Sequence, residues 1–350
     1  MSNPSFHKDF RLNGTSFSSE AALISFAENS SIAIANFLND WFNNDNFVIV
    51  KTSGSTGKPK PIRLQKEFMI NSALATGSFF NLKEKTTALL CMSTDFIAGK
   101  MMLVRAVVLG WELDVVAPTS KIILNKKYDF SAMVPLQLRN SLSQINKINT
   151  LIVGGGVVSN DLLDAIQTVT TKVFATYGMT ETITHIAVKK LNYFTIPKLD
   201  LSTNYKVLPN VAISQDDRNC LVINAPKVSS EKIITNDVVQ LLSDTEFEWL
   251  GRFDNVINSG GIKLHPEKIE EKLSKIIQQR FFVAGIPDEI LGEKLVLVIE
   301  GSQNEINIAE FSTLTKYEKP KEIYFVKDFI ETDTKKIQRS KTLQNIKKPL

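Results

Sequence analysis

Between Lys51 and Lys60 the chain gathers the residue types that can hold a polyphosphate. Gly54 and Gly57 let backbone amides turn inward, Thr52, Ser53, Ser55 and Thr56 add hydroxyl donors, and Lys58 and Lys60 bring positive charge. An apolar run from Phe47 to Val50 precedes the segment and reads as a buried strand. A Walker A loop is excluded, because it needs a longer gap between its glycines and a hydroxyl residue directly after the lysine. Here only Ser55 and Thr56 separate the glycines, and Pro59 follows Lys58. The proline also keeps a helix from starting with its amides aimed at the phosphates, so a mobile cover is expected.

The ordered run from Ser53 to Lys60 resembles the signature loop of the adenylate-forming enzymes: acyl-CoA synthetases, nonribosomal peptide adenylation domains and luciferases. That resemblance implies further motifs in a fixed order. The stretch Ala175 to Thr182 looks like the family's Y-G-x-T-E motif, with Tyr177, Gly178, Thr180 and Glu181 in register. Tyr177 offers a flat face for a purine, Thr180 a hydroxyl for the α-phosphate, and Glu181 a hard oxygen ligand for the Mg²⁺ that accompanies ATP. Upstream, Thr150 to Val153 runs into Gly154, Gly155 and Gly156. The dinucleotide pattern G-x-G-x-x-G is absent, and no acidic residue is convincingly placed for a ribose. By resemblance, Gly155 and Gly156 form the turn beside the adenine.

The run from Gly251 to Glu270 is similar to the family over twenty consecutive residues. It implies Arg252 near ribose and α-phosphate and Asp254 as the hinge, and the preceding Thr235 to Asp237, similar to the family's T-G-D, implies Asp237 on the ribose hydroxyls. Asn236 stands where the family usually has glycine. Near the carboxyl terminus, Thr332 to Arg339 resembles T-x-T-G-K-I-x-R. Aligning Ile337 and Arg339 makes Lys336 the lysine that reaches the acyl carboxylate and α-phosphate, with Lys335 replacing a glycine. Gly260 and Gly261 would flank a pantetheine tunnel, and Lys263 would hold phosphates of coenzyme A.

Ser93 to Arg105 occupies the place of the family's acyl site. Within the superfamily the resemblance is greatest to the short-form o-succinylbenzoate–CoA ligases of menaquinone biosynthesis. Their acid carries two carboxylates, and a buried spectator carboxylate needs a cation. Lys100 and Arg105 are the candidates. They lie about 140° apart around a helix, so both cannot point straight inward.

Bulk properties agree. With 350 residues and 43% hydrophobic content, the chain can bury one large core and a smaller second one. Its net charge of +4 is less than the excess carried by residues 316–350, where ten Lys/Arg face five Asp/Glu. No broad basic face with stacking aromatics appears, which argues against nucleic-acid binding. Cys91 and Cys220 read as buried free thiols of a reducing compartment. His7, His185 and His265 are scattered without cysteine partners, which argues against structural zinc. The amino terminus lacks a signal-peptide pattern, and no apolar run approaches a membrane span; a cytoplasmic protein is expected, with a homodimer left open.

The fold class expected is α/β. Strand-like runs at 47–50, 86–92, 112–116, 130–134, 150–153 and 172–176 alternate with helical stretches at 65–80, 98–109 and 159–169, favouring a mainly parallel, covered sheet. Residues 1–253 would form the ATP- and acyl-binding domain, shortened at its amino terminus relative to the family. Residues 254–350 would form a small mobile α+β lid, in which Pro266 opens a helix with Ile269, Leu273, Ile276 and Ile277 on one stripe. The implied activity is ATP-dependent ligation of a small carboxylic acid to coenzyme A through an acyl-AMP. A ligase that loads a carrier protein and a non-catalytic nucleotide-binding regulator are the alternatives.

Overall fold

The computed structural model describes residues 6–51, 61–192, 204–302, 311–331 and 337–346. The large body opens with β1 (Arg11–Leu12), α1 (Glu20–Ser30) and α2 (Ile32–Phe42). A hairpin follows, β2 (Phe47–Lys51) and β3 (Pro61–Gln65), then α3 (Lys66–Phe80), β4 (Thr87–Leu90), α4 (Ile97–Leu109) and β5 (Glu112–Val115). Next come β6 (Tyr128–Met133), α5 (Pro135–Ser141), β7 (Ile148–Val153), α6 (Asn160–Ala165) and β8 (Lys172–Gly178). The body closes with β9 (His185–Lys190), β10 (Tyr205–Val207), β11 (Ala212–Gln215), β12 (Cys220–Asn224), β13 (Ile233–Ser243) and β14 (Glu246–Arg252).

Twelve of these strands form one sheet in the order β1-β5-β4-β6-β7-β8-β9-β10-β14-β13-β12-β11. From β1 to β8 the neighbours are parallel; from β8 onward every pairing is antiparallel. Alternation along the parallel strands explains the layers. Ala88, Leu90, Phe130 and Ala132 face the core under α3 and α4, while Leu89, Cys91 and Met133 face the core that also holds Leu138 of α5 and Leu162 of α6. Both cysteines are free and buried.

The first strand-like run departs from expectation. Phe47–Lys51 does not join the main sheet; it pairs only with β3, its alternation burying Val48 and Val50 and leaving Ile49 exposed. Lys51 and Pro61 are register partners, so the hairpin clasps both ends of the phosphate-loop segment. The amphipathic helices α1 and α2 were absent from the sequence reading. They bury Leu23, Ala27, Phe37, Leu38 and Trp41 against the α3–α4 side.

The smaller lobe contains β15 (Ile257–Ser259), β16 (Ile262–Leu264), α7 (Pro266–Leu273), β17 (Phe281–Asp288), β18 (Gly292–Glu300), β19 (Glu322–Val326) and α8 (Arg339–Gln344). Its five-stranded sheet is covered by α7 on one face, against Val283, Leu295, Leu297 and Ile299. Phe329, Ile337 and Leu343 cover the other face, against Phe282, Val296 and Val298. Ile269, Leu273 and Ile277 are buried as expected, but the helix ends at Leu273 and Ile276 is 37% exposed. Among the described residues no helix is long and apolar enough to cross a membrane.

Candidate active site

The carboxyl ends of adjacent parallel strands deliver the first group of residues, where ligands meet open α/β sheets. β4 ends toward Ser93 and Thr94, β7 at Gly154–Gly156 and β8 at Tyr177–Glu181. Gly154 donates to the Met133 carbonyl at 3.1 Å, and a Cβ there would stand 2.4 Å from Thr176 Oγ1. Gly155 has φ +79°. Gly155 and Gly156 therefore form an exposed turn at the strand tip.

The β8 turn is built more tightly. Thr182 Oγ1 accepts from the Met179 amide at 3.0 Å, and the Thr184 amide donates to the Thr182 carbonyl at 2.7 Å. That second bond closes a γ-turn on Ile183, held at φ 65° and ψ −58° although its side chain is 1% exposed. A β-branched residue in that region is strained, and burial of its side chain keeps it there. Thr180 and Glu181 stand on the outer side of this turn, Glu181 exposed.

Gly178 makes the turn feasible, because a Cβ would meet the Thr184 carbonyl oxygen at 2.2 Å and His185 Cα at 2.5 Å. Gly178→Ala must shift backbone that carries Thr180 and Glu181. ATP–pyrophosphate exchange is expected to fall by about a hundredfold, as misplaced reacting groups cause. Undiminished exchange would show that this turn does not set the site.

A second group converges from far along the chain. Tyr177 Oη donates to Asp237 Oδ2 at 2.7 Å across 60 residues, and Trp249 Nε1 donates to Oδ1 at 3.2 Å. Asp237 and Arg252 are register partners in β13 and β14, with Arg252 Nη1 3.7 Å from Oδ1. Asp237 is 7% exposed, yet each carboxylate oxygen keeps a second lone pair for a further donor. Burial, and then the Asp237 charge, push the Tyr177 phenol far up, so it stays a donor. The Tyr177 ring packs edge-on to Phe247 at 5.2 Å and lies 5.7 Å from Tyr205. Tyr177 is thus a strut of the Asp237 cluster. Trp249 went unnoticed in the sequence, since nothing local marks it as Asp237's neighbour. Asn236 accepts from Arg218 Nη1 at 2.9 Å and reaches Asp254 at 3.4 Å, tying β13 to the turn after β14.

The two cations on α4 separate. Lys100 lies over the Phe37 ring of α2, 4.8 Å from its centroid, lowered by burial but partly restored by Asp40 and Asp95. Arg105 is 1% exposed. Its Nε donates to Thr76 Oγ1 at 3.3 Å and its Nη2 lies 3.5 Å from His185 Nδ1. Among the described residues no carboxylate lies within ion-pair distance of it, and burial alone pulls its guanidinium down to about 9. Burial and the Arg105 charge hold His185 well below the usual imidazole range, so a neutral ring faces the guanidinium. A cavity of about 210 Å³, lined by Asn71, Ser72, His185, Pro209 and Lys227, opens beside the His185 ring. Thr94 is buried, its hydroxyl without a partner among the described residues, under the close approach of Gly99 to Ser93.

In the lobe, Gly260 (φ 58°) and Gly261 (φ 81°) form the tight turn joining β15 and β16, and Lys263 is exposed behind it. Asp254 lies in the one-turn link between body and lobe, 3.4 Å from Arg252 Nη2. The lobe docks through Lys268 to Glu248 at 2.5 Å and through Asn160, which donates to Ser274 Oγ at 2.6 Å. Thr52, Ser53, Gly54, Ser55, Thr56, Gly57, Lys58 and Lys336 lie outside the described residues. No group of three metal-ligating side chains occurs among the described residues. A lone exposed Glu181 fits a Mg²⁺ that arrives with phosphate and water ligands of its own.

Comparison with known proteins decides the family. The model of the AMP-binding enzymes matches residues 13–220. The chain belongs to the AMP-binding enzyme family. It is an AMP-forming ligase, as the phosphate-loop resemblance implied. The crystal structure of an acyl-CoA synthetase (AMP-forming)/AMP-acid ligase II-like protein from Dyadobacter fermentans is 36% identical, with a TM-score of 0.62, covering 93% of this chain and 98% of that one. The 2-succinylbenzoate–CoA ligase of Geobacillus sp. (strain WCH70) is 25% identical over 338 residues, 85% of this chain and 68% of the relative. The O-succinylbenzoate coenzyme A synthetase of Bacillus subtilis, solved with ATP and magnesium, shares the AMP-binding fold at a TM-score of 0.69 and 19% identity, over 84% of this chain and 69% of that one.

Proposed function

We propose that this AMP-binding enzyme activates an aromatic dicarboxylate of the o-succinylbenzoate type with ATP and passes the acyl group to coenzyme A. The observation that supports the acid's identity is Arg105, a buried cation on α4, in the stretch that resembles the family's acyl site, without a carboxylate among the described residues. A substrate's spectator carboxylate would complete that pair, and a fatty acid would not. The similarity to 2-succinylbenzoate–CoA ligases supports the same acid. Lys100, turned toward Phe37, is the weaker candidate.

In the first half-reaction a carboxylate oxygen attacks the α-phosphorus, the bond to the β-phosphate bridge breaks, and pyrophosphate leaves. Asp237 and Arg252 position ribose, Gly155 and Gly156 admit the adenine, and Tyr177 supports both. Thr180, Lys58 with its loop neighbours, and Lys336 stabilise charge developing on the phosphoryl oxygens. Mg²⁺ on Glu181 would share that task. In the second, the coenzyme A sulfur attacks the acyl carbon, the bond to AMP breaks, and the thiol proton passes to solvent. The lobe turns about Asp254 between the two, bringing Gly260, Gly261 and Lys263 toward the pantetheine arm.

Pyrophosphate release measured across o-succinylbenzoate, benzoates and fatty acids, with and without coenzyme A, tests this. Turnover only with o-succinylbenzoate and coenzyme A is expected. Equal turnover of monocarboxylates would sink the dicarboxylate assignment, and acyl-AMP that coenzyme A cannot discharge would favour a carrier-protein acceptor.

A further inference from the structure

A carboxylate pair on α7 holds the carboxy-terminal arm and the interdomain segment at once. Arg339 Nη2 donates to Glu270 Oε2 at 2.8 Å, and the same nitrogen lies 3.8 Å from Glu267 Oε1. Arg339 Nη1 donates to the Val283 carbonyl at 3.2 Å, while Glu270 Oε1 accepts from the Val283 amide at 2.9 Å. Val283 sits on the edge of the lobe's sheet, so the pair satisfies backbone groups that the sheet leaves open. The guanidinium lies 5.8 Å from the Phe282 ring, bringing the arm around that edge.

Glu267 reaches the other way. Its Oε1 accepts from Asn255 Nδ2 at 2.6 Å, one residue beyond Asp254. Its Oε2 is buried without a partner among the described residues and packs so close to Gly251 (φ +142°) that a Cβ there would be 2.2 Å away. One carboxylate thus touches both the segment that links the lobes and the arginine that anchors the arm. A bridge between Glu331 and Ile337, with Gln338 donating to the Ile330 carbonyl at 2.7 Å, fixes the arm's base beside that arginine.

Taking Lys336 as the adenylation lysine, as the proposed function does, we propose that Glu270 and Glu267 are positioning residues for adenylation. They act through Arg339, and Glu267 ties the arm's placement to the interdomain segment. The geometry assigns them no contact with substrate. Burial pushes Glu270 up to about 7 against the pull of Arg339, with Glu267 adding repulsion.

Glu270→Gln, Glu267→Gln, Arg339→Met and the double variant Glu270→Gln/Arg339→Met test the proposal. In Glu270→Gln, ATP–pyrophosphate exchange with o-succinylbenzoate is expected to lose about ten- to a hundredfold in kcat with little change in KM for ATP, the range for losing a charged hydrogen bond. Thioester formation from supplied acyl-AMP should stay within about threefold of wild type, which a merely structural role would not spare. The double variant should be no worse than the poorer single one. Independently of any acid, amide exchange at 337–339 should rise while β17 and β18 stay protected. Unchanged exchange at 337–339, additive losses, or equal losses in both half-reactions with a lowered Tm would overturn the proposal. The functional reading fails separately: it falls if Lys336→Ala leaves adenylation intact, whereas intact adenylation in Glu270→Gln alongside a dead Lys336→Ala sinks only the positioning role.

Discussion

Lys336→Ala is expected to abolish acyl-AMP formation while leaving thioester formation from supplied acyl-AMP largely intact. The lysine would meet the carboxylate and α-phosphate only while charge develops on the phosphoryl group, so its removal raises the adenylation barrier alone. The expected loss is at least about a hundredfold in ATP–pyrophosphate exchange, the scale of losing one preorganised charge stabiliser. Lys335→Ala is the control, because the two lysines adjoin and the family's glycine is missing between Thr334 and Lys336. A crippled Lys335→Ala with a mild Lys336→Ala would move the role by one residue.

Arg105→Met separates two explanations of a buried cation. If Arg105 only braces the core, its loss should destabilise the protein and leave substrate preference alone. If it awaits a substrate carboxylate, the ligand-free protein should gain stability, because a buried charge without a carboxylate among the described residues gives way to an apolar side chain of similar length. Such replacements of buried ionic groups stabilise by about 1–4 kcal/mol. The preference for o-succinylbenzoate over a monocarboxylate analogue should then fall by about two to three orders of magnitude, from the roughly 3–5 kcal/mol cost of an unpaired buried carboxylate. Thermal melting and competition between the two acids read both arms. A lower Tm with intact preference would return Arg105 to a structural role. Thr76 and His185 would lose their shared neighbour in either case.

The family was legible in short stretches, because the residue types and spacing of its motifs are local to the chain. The run from Ser53 to Lys60, the turn from Tyr177 to Glu181 and the run from Gly251 to Glu270 each carry their residue types and spacing in the chain itself. The alternation of strands and helices likewise followed from periodicity, and β4, β5, β6, β7 and β8 with α3, α4 and α6 stand close to where it placed them. The strand at Phe47 matched in position but not in partner, since an apolar run carries no record of what it pairs with.

What the sequence by itself determined, then, is the resemblance to the AMP-binding enzymes, the order of its motifs and the layered α/β class, all properties of neighbouring residues. Only the tertiary structure decided which groups meet. Tyr177, Asp237 and Trp249 share one cluster because β8, β13 and β14 lie in one sheet, an arrangement of pairings over long separations. Lys100 and Arg105 sit on one helix with about 140° between them. Their divergence was foreseeable, but their environments were not: α2 packs under Lys100, whereas α3 and β9 enclose Arg105. Glu267 carries no role of its own in the sequence, and only folding places Gly251, Asn255 and Arg339 around it. A residue's type sets what it can bind, but burial and partners come from distant segments that only packing brings together.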